Sequence, residues 1–201
     1  MGWYRLFRAL FRVFYQVVYR WQVIGLERIP SQGGVILCSN HISNLDPPFI
    51  AAPIERQVLF MAKEELFHMP GVGWLIKKFG AFPVKRGMSD RCALKKALQV
   101  LGEGQVLGIF PEGTRSKTGK LGKPYPGAAL FALKSEATVI PVAIMGTWRP
   151  FSRMKVIYGD PIDLSNYRNV KLTSELIGEA SNHFMQEIQK LLDEHANSFI
   201  S

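Results

Sequence analysis

A histidine and an aspartate five positions apart, His41 and Asp46, stand within Asn40-His41-Ile42-Ser43-Asn44-Leu45-Asp46-Pro47. A carboxylate that holds one imidazole nitrogen leaves the other free to act as a general base. The four intervening residues suffice for a turn that folds Asp46 back onto His41, and Pro47 and Pro48 stiffen its far side. No G-x-S-x-G nucleophile elbow occurs in the chain. The pair therefore reads as the His–Asp part of a triad whose hydroxyl would come from the substrate.

A second group is Phe110-Pro111-Glu112-Gly113-Thr114-Arg115-Ser116, which follows an apolar run. Arg115 offers a planar fork for a phosphate, and Gly113 permits close backbone approach. Glu112 would accept a substrate hydroxyl or hold Arg115. Two adjacent cations, Lys85 and Arg86, follow Phe82-Pro83-Val84, again at the end of an apolar run. Val139-Ile140-Pro141-Val142 reads as a strand that shapes a pocket. No G-x-G-x-x-G follows a strand, and Gly119-Lys120 lacks the Ser/Thr of a P-loop, with Leu121 in its place. His68, His183 and His195 are scattered, and Cys38 and Cys92 have no C-x-x-C spacing, so no metal site is implied. Cys38 reads as a buried core residue.

The frame that must hold these groups is a chain of 201 residues, which suits one core. Hydrophobic residues at 47% and charged residues at 20% exclude a disordered or collagen-like chain. The net charge is +9, and the middle of the chain carries all of it. Residues 77–134 hold twelve Lys/Arg and three Asp/Glu, and the rest of the chain holds thirteen of each. That excess calls for an anionic partner: nucleic acid, a phospholipid headgroup or a phosphorylated substrate. The lack of a helix-turn-helix or RNA-binding signature argues against nucleic acid.

Residues 1–21 contain four arginines and no acid, and their longest uncharged stretch, 13–19, is too short to cross a bilayer. Wound as a helix, the segment puts Arg5, Arg8, Arg12, Gln16 and Arg20 on one stripe. Trp3, Leu6, Phe7, Leu10, Phe14, Val17 and Trp21 lie opposite, with Tyr4, Tyr15 and Tyr19 near the edge. This pattern suits a helix in the headgroup layer. A helix packed on the protein's own core is the other reading. Trp3, Arg5, Phe7, Arg8, Phe11, Arg12, Phe14 and Trp21 are the expected membrane-binding residues.

The remainder, residues 22–201, alternates. Strands are expected over 34–39, 58–62, 81–84, 105–110, 138–144 and 154–158. Helices are expected over 47–54 with Asp46 as cap, 71–79, 89–101 capped by Ser89, 127–135, and 173–195 capped by Thr173 or Ser174. The fold class is α/β, one domain with a mostly parallel or mixed sheet flanked by helices, preceded by the amphipathic interfacial helix. In such sheets, sites form beyond the carboxyl ends of strands, where every motif above falls. The one long irregular segment, 111–126, is rich in Gly, Lys and Pro.

Taken together, the four blocks resemble the glycerolipid acyltransferases, and within them the 1-acyl-glycerol-3-phosphate acyltransferases. His41 to Asp46 resembles that family's H-x4-D block, and Phe82 to Arg86 its second block. Phe110 to Ser116 resembles its F-P-E-G-T-R-S block, and Ile140-Pro141-Val142 its proline-centred fourth. Lys85 departs from members that carry an acid there. The resemblance implies transfer of a fatty acyl group from acyl-CoA or acyl-carrier protein to the sn-2 hydroxyl of lysophosphatidate. Another acceptor, such as glycerol-3-phosphate, another lysophospholipid or a lyso-glycolipid, is the alternative, and a non-catalytic basic membrane-binding module a further one. The resemblance makes His41 the base and Asp46 its orienting partner. Arg86 and Arg115, with Lys85, would bind the acceptor phosphate, and Glu112, Gly113 and Thr114 would shape that site. No metal or bound cofactor is implied, since the thioester is itself activated. The expected partners are an anionic membrane surface, lysophosphatidate and the acyl donor, and no nucleic acid. The expected location is peripheral, on the cytoplasmic side of the cell membrane, since nothing requires an oxidising compartment.

Overall fold

The structure, a computed structural model, describes residues 2–84, 90–168 and 170–200, without the side chains of 197–200. The arginine-and-aromatic segment forms helix α1 (Gly2–Val18). It ends earlier than the apolar stripe suggests. Arg20–Ile24 is a strand, β1, paired in parallel with β7 (Arg153–Tyr158) from Arg20↔Arg153 to Ile24↔Ile157. Trp21, expected on the helix, therefore lies on an edge strand. It is half-buried and packs its ring on Phe49 and Tyr15.

Helix α1 has one face on the protein and one on solvent, so the reading of a helix packed on the protein's own core describes its inner side. Tyr4 and Tyr15 are buried, and Phe7, Arg8 and Phe11 are half-buried. Tyr4 Oη accepts the backbone N–H of Val58 at 3.1 Å, and Arg8 Nη1 donates to Ile54 O at 2.7 Å. Phe7 and Phe11 lie against Phe79, at 5.2 and 5.7 Å between ring centroids. Four residues of the expected membrane set, Phe7, Arg8, Phe11 and Trp21, thus face the protein. Phe7, Arg8 and Phe11 do so because the buried line of the helix runs through Tyr4 and Tyr15, at the edge between the two sequence stripes, and Trp21 because it lies on β1. Trp3, Arg5, Arg12 and Phe14 do point outward, as do Leu6, Leu10, Val13 and Val17. Among the described residues, no helix is long and apolar enough to cross a membrane.

The sheet has seven strands in the order β1-β7-β6-β2-β5-β3-β4. The others are β2 (Val35–Ser39), β3 (Val58–Lys63), β4 (Phe82–Val84), β5 (Val106–Ile109) and β6 (Thr138–Gly146). All neighbours run parallel except β6 and β7, so the sheet is mixed. β2 and β5 are buried throughout, as their unbroken apolar runs require for strands covered on both faces. Cys38 lies in β2 with no exposure, where burial pushes its thiol well above the ordinary value.

Helices α4 (Arg91–Gly102), α5 (Gly127–Leu133) and α6 (Ser174–Ile200) pack on one face, burying Ala97, Leu101, Phe131, Phe184 and Ile188. Helix α1 and the short α2 (Asp46–Ala51) cover part of the other face with Tyr15, Phe49 and Ile50. Each such fully buried apolar side chain contributes about 1.5–3 kcal/mol. Helix α3 (Val72–Lys78) lies between β3 and β4.

Two expected caps differ. Asp90 caps α4, accepting from Ala93 N at 2.9 Å, while Ser89 lies outside the described residues. Asp46 is the first residue of α2 rather than its cap, because its carboxylate turns back to the preceding residues. Thr173 holds the start of α6 by accepting from Leu176 N, and that helix runs past the expected end at 195. Pro141 sits inside β6 opposite Cys38, and its carbonyl accepts from Gly159 just beyond β7. Proline returns no N–H there, so the β6–β7 ladder stops at Val142↔Tyr158.

Candidate active site

The carboxyl ends of β2, β5 and β6, neighbours in the sheet, deliver the groups that meet around His41. Asn40 leaves β2 buried, and its amide completes the ladder toward β6. Its Nδ2 donates to Ile144 O at 3.0 Å, and Oδ1 accepts from Ile144 N at 2.7 Å. That double bond fixes where His41 emerges.

The turn after His41 brings Asp46 back to it. His41 Nδ1 lies 2.7 Å from Asp46 Oδ2, and the Asp46 side chain has no exposure. The same oxygen accepts the backbone N–H of Ile42 at 2.6 Å and of Ser43 at 2.7 Å. The other oxygen, Oδ1, accepts Trp148 Nε1–H at 3.0 Å. These donors use the acceptor capacity of a carboxylate on both oxygens and fix its orientation. Nδ1–H of His41 is thereby the donor to Asp46, leaving the Nε2 lone pair to accept.

The His41 ring stacks on Phe110 at 4.0 Å between centroids and 17° between planes. Phe110 in turn stacks on Phe60 of β3 at 5.9 Å. Gly108 makes room for that column, since a Cβ there would come within 2.2 Å of the Phe60 ring.

The loop after β5 is fastened to His41 at both backbone groups. Glu112 Oε1 accepts His41 N–H at 3.1 Å, and Ser116 N–H donates to His41 O at 2.7 Å. Glu112 Oε2 accepts from Gly122 N at 2.8 Å, which closes the loop on itself. Glu112 is 4% exposed and spends both oxygens on backbone N–H groups. Its oxygens bond backbone N–H groups rather than Arg115, and a carboxylate so placed organises the loop. Gly113 adopts φ 62°, and a Cβ there would meet the Tyr125 ring at 2.9 Å. Thr114 and Arg115 are exposed on the rim of a concavity of about 420 Å³ that Lys120, Lys123 and Tyr125 also line. Lys85 and Arg86 lie outside the described residues.

Tyr15 ties α1 to this site. Its Oη–H donates to Leu45 O at 3.1 Å, and burial, with the Asp46 carboxylate close by, pushes that hydroxyl well above its ordinary value. It stays a donor. Its ring packs edge-on to Phe49 at 5.0 Å. Trp148 and Tyr15 were not legible as site residues in the sequence; an indole more than a hundred positions from its acceptor leaves no local signal.

The family model described as Acyltransferase matches residues 20–145, the span that carries His41, Asp46 and the 110–116 loop, with Tyr15 and Trp148 just outside it. The chain belongs to the acyltransferase family. A 1-acyl-sn-glycerol-3-phosphate acyltransferase of Bacillus subtilis is 30% identical to this acyltransferase over 86% of the chain and 90% of that protein. Its counterpart by name in Streptococcus pneumoniae is 33% identical over 84% of the chain, which spans 64% of that protein. The crystal structure of the 1-acyl-sn-glycerophosphate acyltransferase PlsC from Thermotoga maritima superposes with a TM-score of 0.69 at 26% identity. That match covers 94% of this chain and 78% of that one. Among the described residues, no group of His, Cys, Asp and Glu could hold a metal ion.

Proposed function

We propose that this acyltransferase moves a fatty acyl group from acyl-CoA or acyl-carrier protein to the free sn-2 hydroxyl of 1-acyl-glycerol-3-phosphate, giving phosphatidate. The observation that carries this reading is the His41–Asp46 pair, held at 2.7 Å beside the loop that presents Arg115. The names of the relatives supply the acceptor.

His41 Nε2 takes the proton of the acceptor hydroxyl as its oxygen attacks the thioester carbonyl. The new ester C–O bond forms, the C–S bond breaks, and the departing thiolate takes the proton back from His41. Asp46 holds the ring and offsets the charge it gains. Proton transfer of this kind supplies about 10²–10⁴-fold in rate, and alignment of acceptor and thioester supplies much of the rest. Arg115, with Lys85 and Arg86, binds the acceptor phosphate, and the mobile counterions of a basic middle segment give way to it. The exposed apolar face of α1, edged by Arg5 and Arg12, holds the enzyme to the cytoplasmic surface of an anionic membrane, where its acceptor resides.

The test is acyl transfer by the purified protein on mixed vesicles with lysophosphatidate and oleoyl-CoA or oleoyl-acyl-carrier protein, beside His41→Ala. Product from the parent and none from the variant is expected. Product from both removes His41 as the base. Product only with glycerol-3-phosphate or another lysolipid in place of lysophosphatidate overturns the acceptor.

A further inference from the structure

The turn between β6 and β7, residues 147–152, holds an aromatic outward at a conformational cost. Phe151 has φ 65°, the one non-glycine residue in the left-handed region among those described, and is 75% exposed. A bulky side chain is rarely found there, and persists only where its surroundings over-determine it. They do so here. Phe151 N–H donates to Val18 O at the end of α1 at 2.7 Å. Ser152 Oγ–H lies within reach of Thr147 O and of Arg149 O, and Ser152 N–H donates to Arg149 O at 3.1 Å. Beneath the turn, Trp148 is pinned between the rings of Tyr19 and Phe49. A locked turn that exposes an aromatic ring is not a relaxed loop, and the fold gains nothing from a ring in water.

The backbone of Phe151 is tied to the end of a second apolar surface. The hydrogen bond to Val18 sets Phe151 against the end of α1 that exposes Val17 (70%) and Phe14 (38%). Arg149 and Arg153 of the turn's flanks and Arg20 of β1 are exposed around it. An aromatic ring flanked by arginines matches the layered chemistry of an anionic bilayer surface, apolar at depth and phosphate-rich above.

We propose that the 147–152 turn is a second lipid contact, with Phe151 entering the headgroup layer beside the end of α1 and the neighbouring arginines meeting anionic headgroups. This rests on the reading of α1 as the membrane-facing helix. It adds a fixed point close to the chemistry, since Trp148 of the same turn donates to Asp46.

The test is partitioning of the full chain onto vesicles of phosphatidylcholine with phosphatidylglycerol, for the parent, Phe151→Asn, Phe151→Leu and Leu10→Asp. Asparagine tolerates the left-handed conformation, so Phe151→Asn should keep or raise Tm while weakening partitioning about tenfold. Phe151→Leu should partition nearly as the parent does. Leu10→Asp, in the middle of the α1 face, should also lose binding. Parent-like partitioning of Phe151→Asn, with binding lost in Leu10→Asp, overturns the turn contact and leaves α1 standing. Parent-like partitioning of Leu10→Asp overturns the reading of α1 on which the proposal rests. A dimer in solution that Phe151→Asn dissociates would put a second copy of the chain on this surface and overturn the lipid assignment.

Discussion

Trp148 Nε1 donates to Asp46 Oδ1 at 3.0 Å, occupying the carboxylate oxygen that His41 leaves free. The indole is held for that purpose on both sides, edge-on to Phe49 at 5.1 Å and to Tyr19 at 5.1 Å. Asp46 is thus gripped from β6's end as well as from its own turn, and rotation of the carboxylate away from His41 would break both sets of bonds.

Trp148→Phe keeps an aromatic ring in this cluster and removes only the donor. A hydrogen bond to a charged group is worth about 1.5–3 kcal/mol, so kcat should fall by about tenfold or more. On the proposed mechanism the KM for the acceptor should hardly move, because the indole would act on the base through Asp46 rather than on the acceptor. In an Asp46→Ala background the same change should cost nothing further. Equal losses in both backgrounds, or a loss confined to KM, would reduce Trp148 to packing.

The parts of the site written as consecutive residues were legible before any coordinates. His41 and Asp46 are joined by one turn, and the 110–116 block sits on a strand marked by its apolar run. What escaped was set by contacts between distant segments. Trp148 is ordinary in its own sequence neighbourhood and acquires meaning only because β6 ends beside β2. Glu112 reads from its neighbours as an acceptor for a substrate hydroxyl or for Arg115, yet both its oxygens go to backbone N–H groups of distant residues. Strand β1 was lost to the helical stripe because Trp21 continues its 100° spacing. The chain instead leaves the helix at Tyr19, since Arg20 N–H pairs with Ser152 O and begins an edge strand with an irregular burial pattern. The alternation of strands and helices, by contrast, read through clearly, because the buried strands are covered on both faces and leave unbroken apolar runs.

Asp46→Asn separates orientation from charge. The amide retains one acceptor oxygen but brings an NH2 group against the N–H of Ile42 and Ser43 or against the indole of Trp148. Repulsion between donors should lower stability by about 1–3 kcal/mol. With the NH2 toward His41 the ring would lose the acceptor that selects its tautomer, and in either orientation the imidazolium would lose its countercharge, so kcat should drop by about 10²–10⁴-fold. Acceptor affinity should be nearly unchanged in steady-state kinetics. A variant that mainly raises KM would mean Asp46 belongs to the binding site rather than to the base.

Glu112→Gln should loosen the loop without touching the dyad. One amide oxygen can still accept from His41 N or from Gly122 N, but the NH2 group must then face the other donor. Either Gly122 or His41 should lose its bond to residue 112, loosening the 113–122 segment and letting trypsin engage it at the already exposed Lys117 and Lys120. Cleavage there should speed up markedly against the parent at a temperature where both remain folded. Identical cleavage kinetics would show that the loop holds itself through its remaining bonds, among them Ser116 N–H to His41 O and Tyr125 N–H to Pro111 O.

Arg115→Ala tests whether the fastened loop presents a phosphate site. Arg115 is exposed on the rim of the concavity, next to Ser116, whose N–H binds the His41 carbonyl. A phosphate held by Arg115 would sit one loop residue from the bond to the His41 backbone. Charge-assisted bonds of about 1.5–3 kcal/mol correspond to a KM for lysophosphatidate raised by about 10–100-fold. Arg115→Lys should recover only part of this, because an ammonium keeps the charge and lacks the fork. An uncharged acceptor such as a monoacylglycerol should be used equally by parent and variant. If the lysophosphatidate KM stays where it was, Arg115 has no part in binding the phosphate, and the second-block cations Lys85 and Arg86 would have to hold it alone.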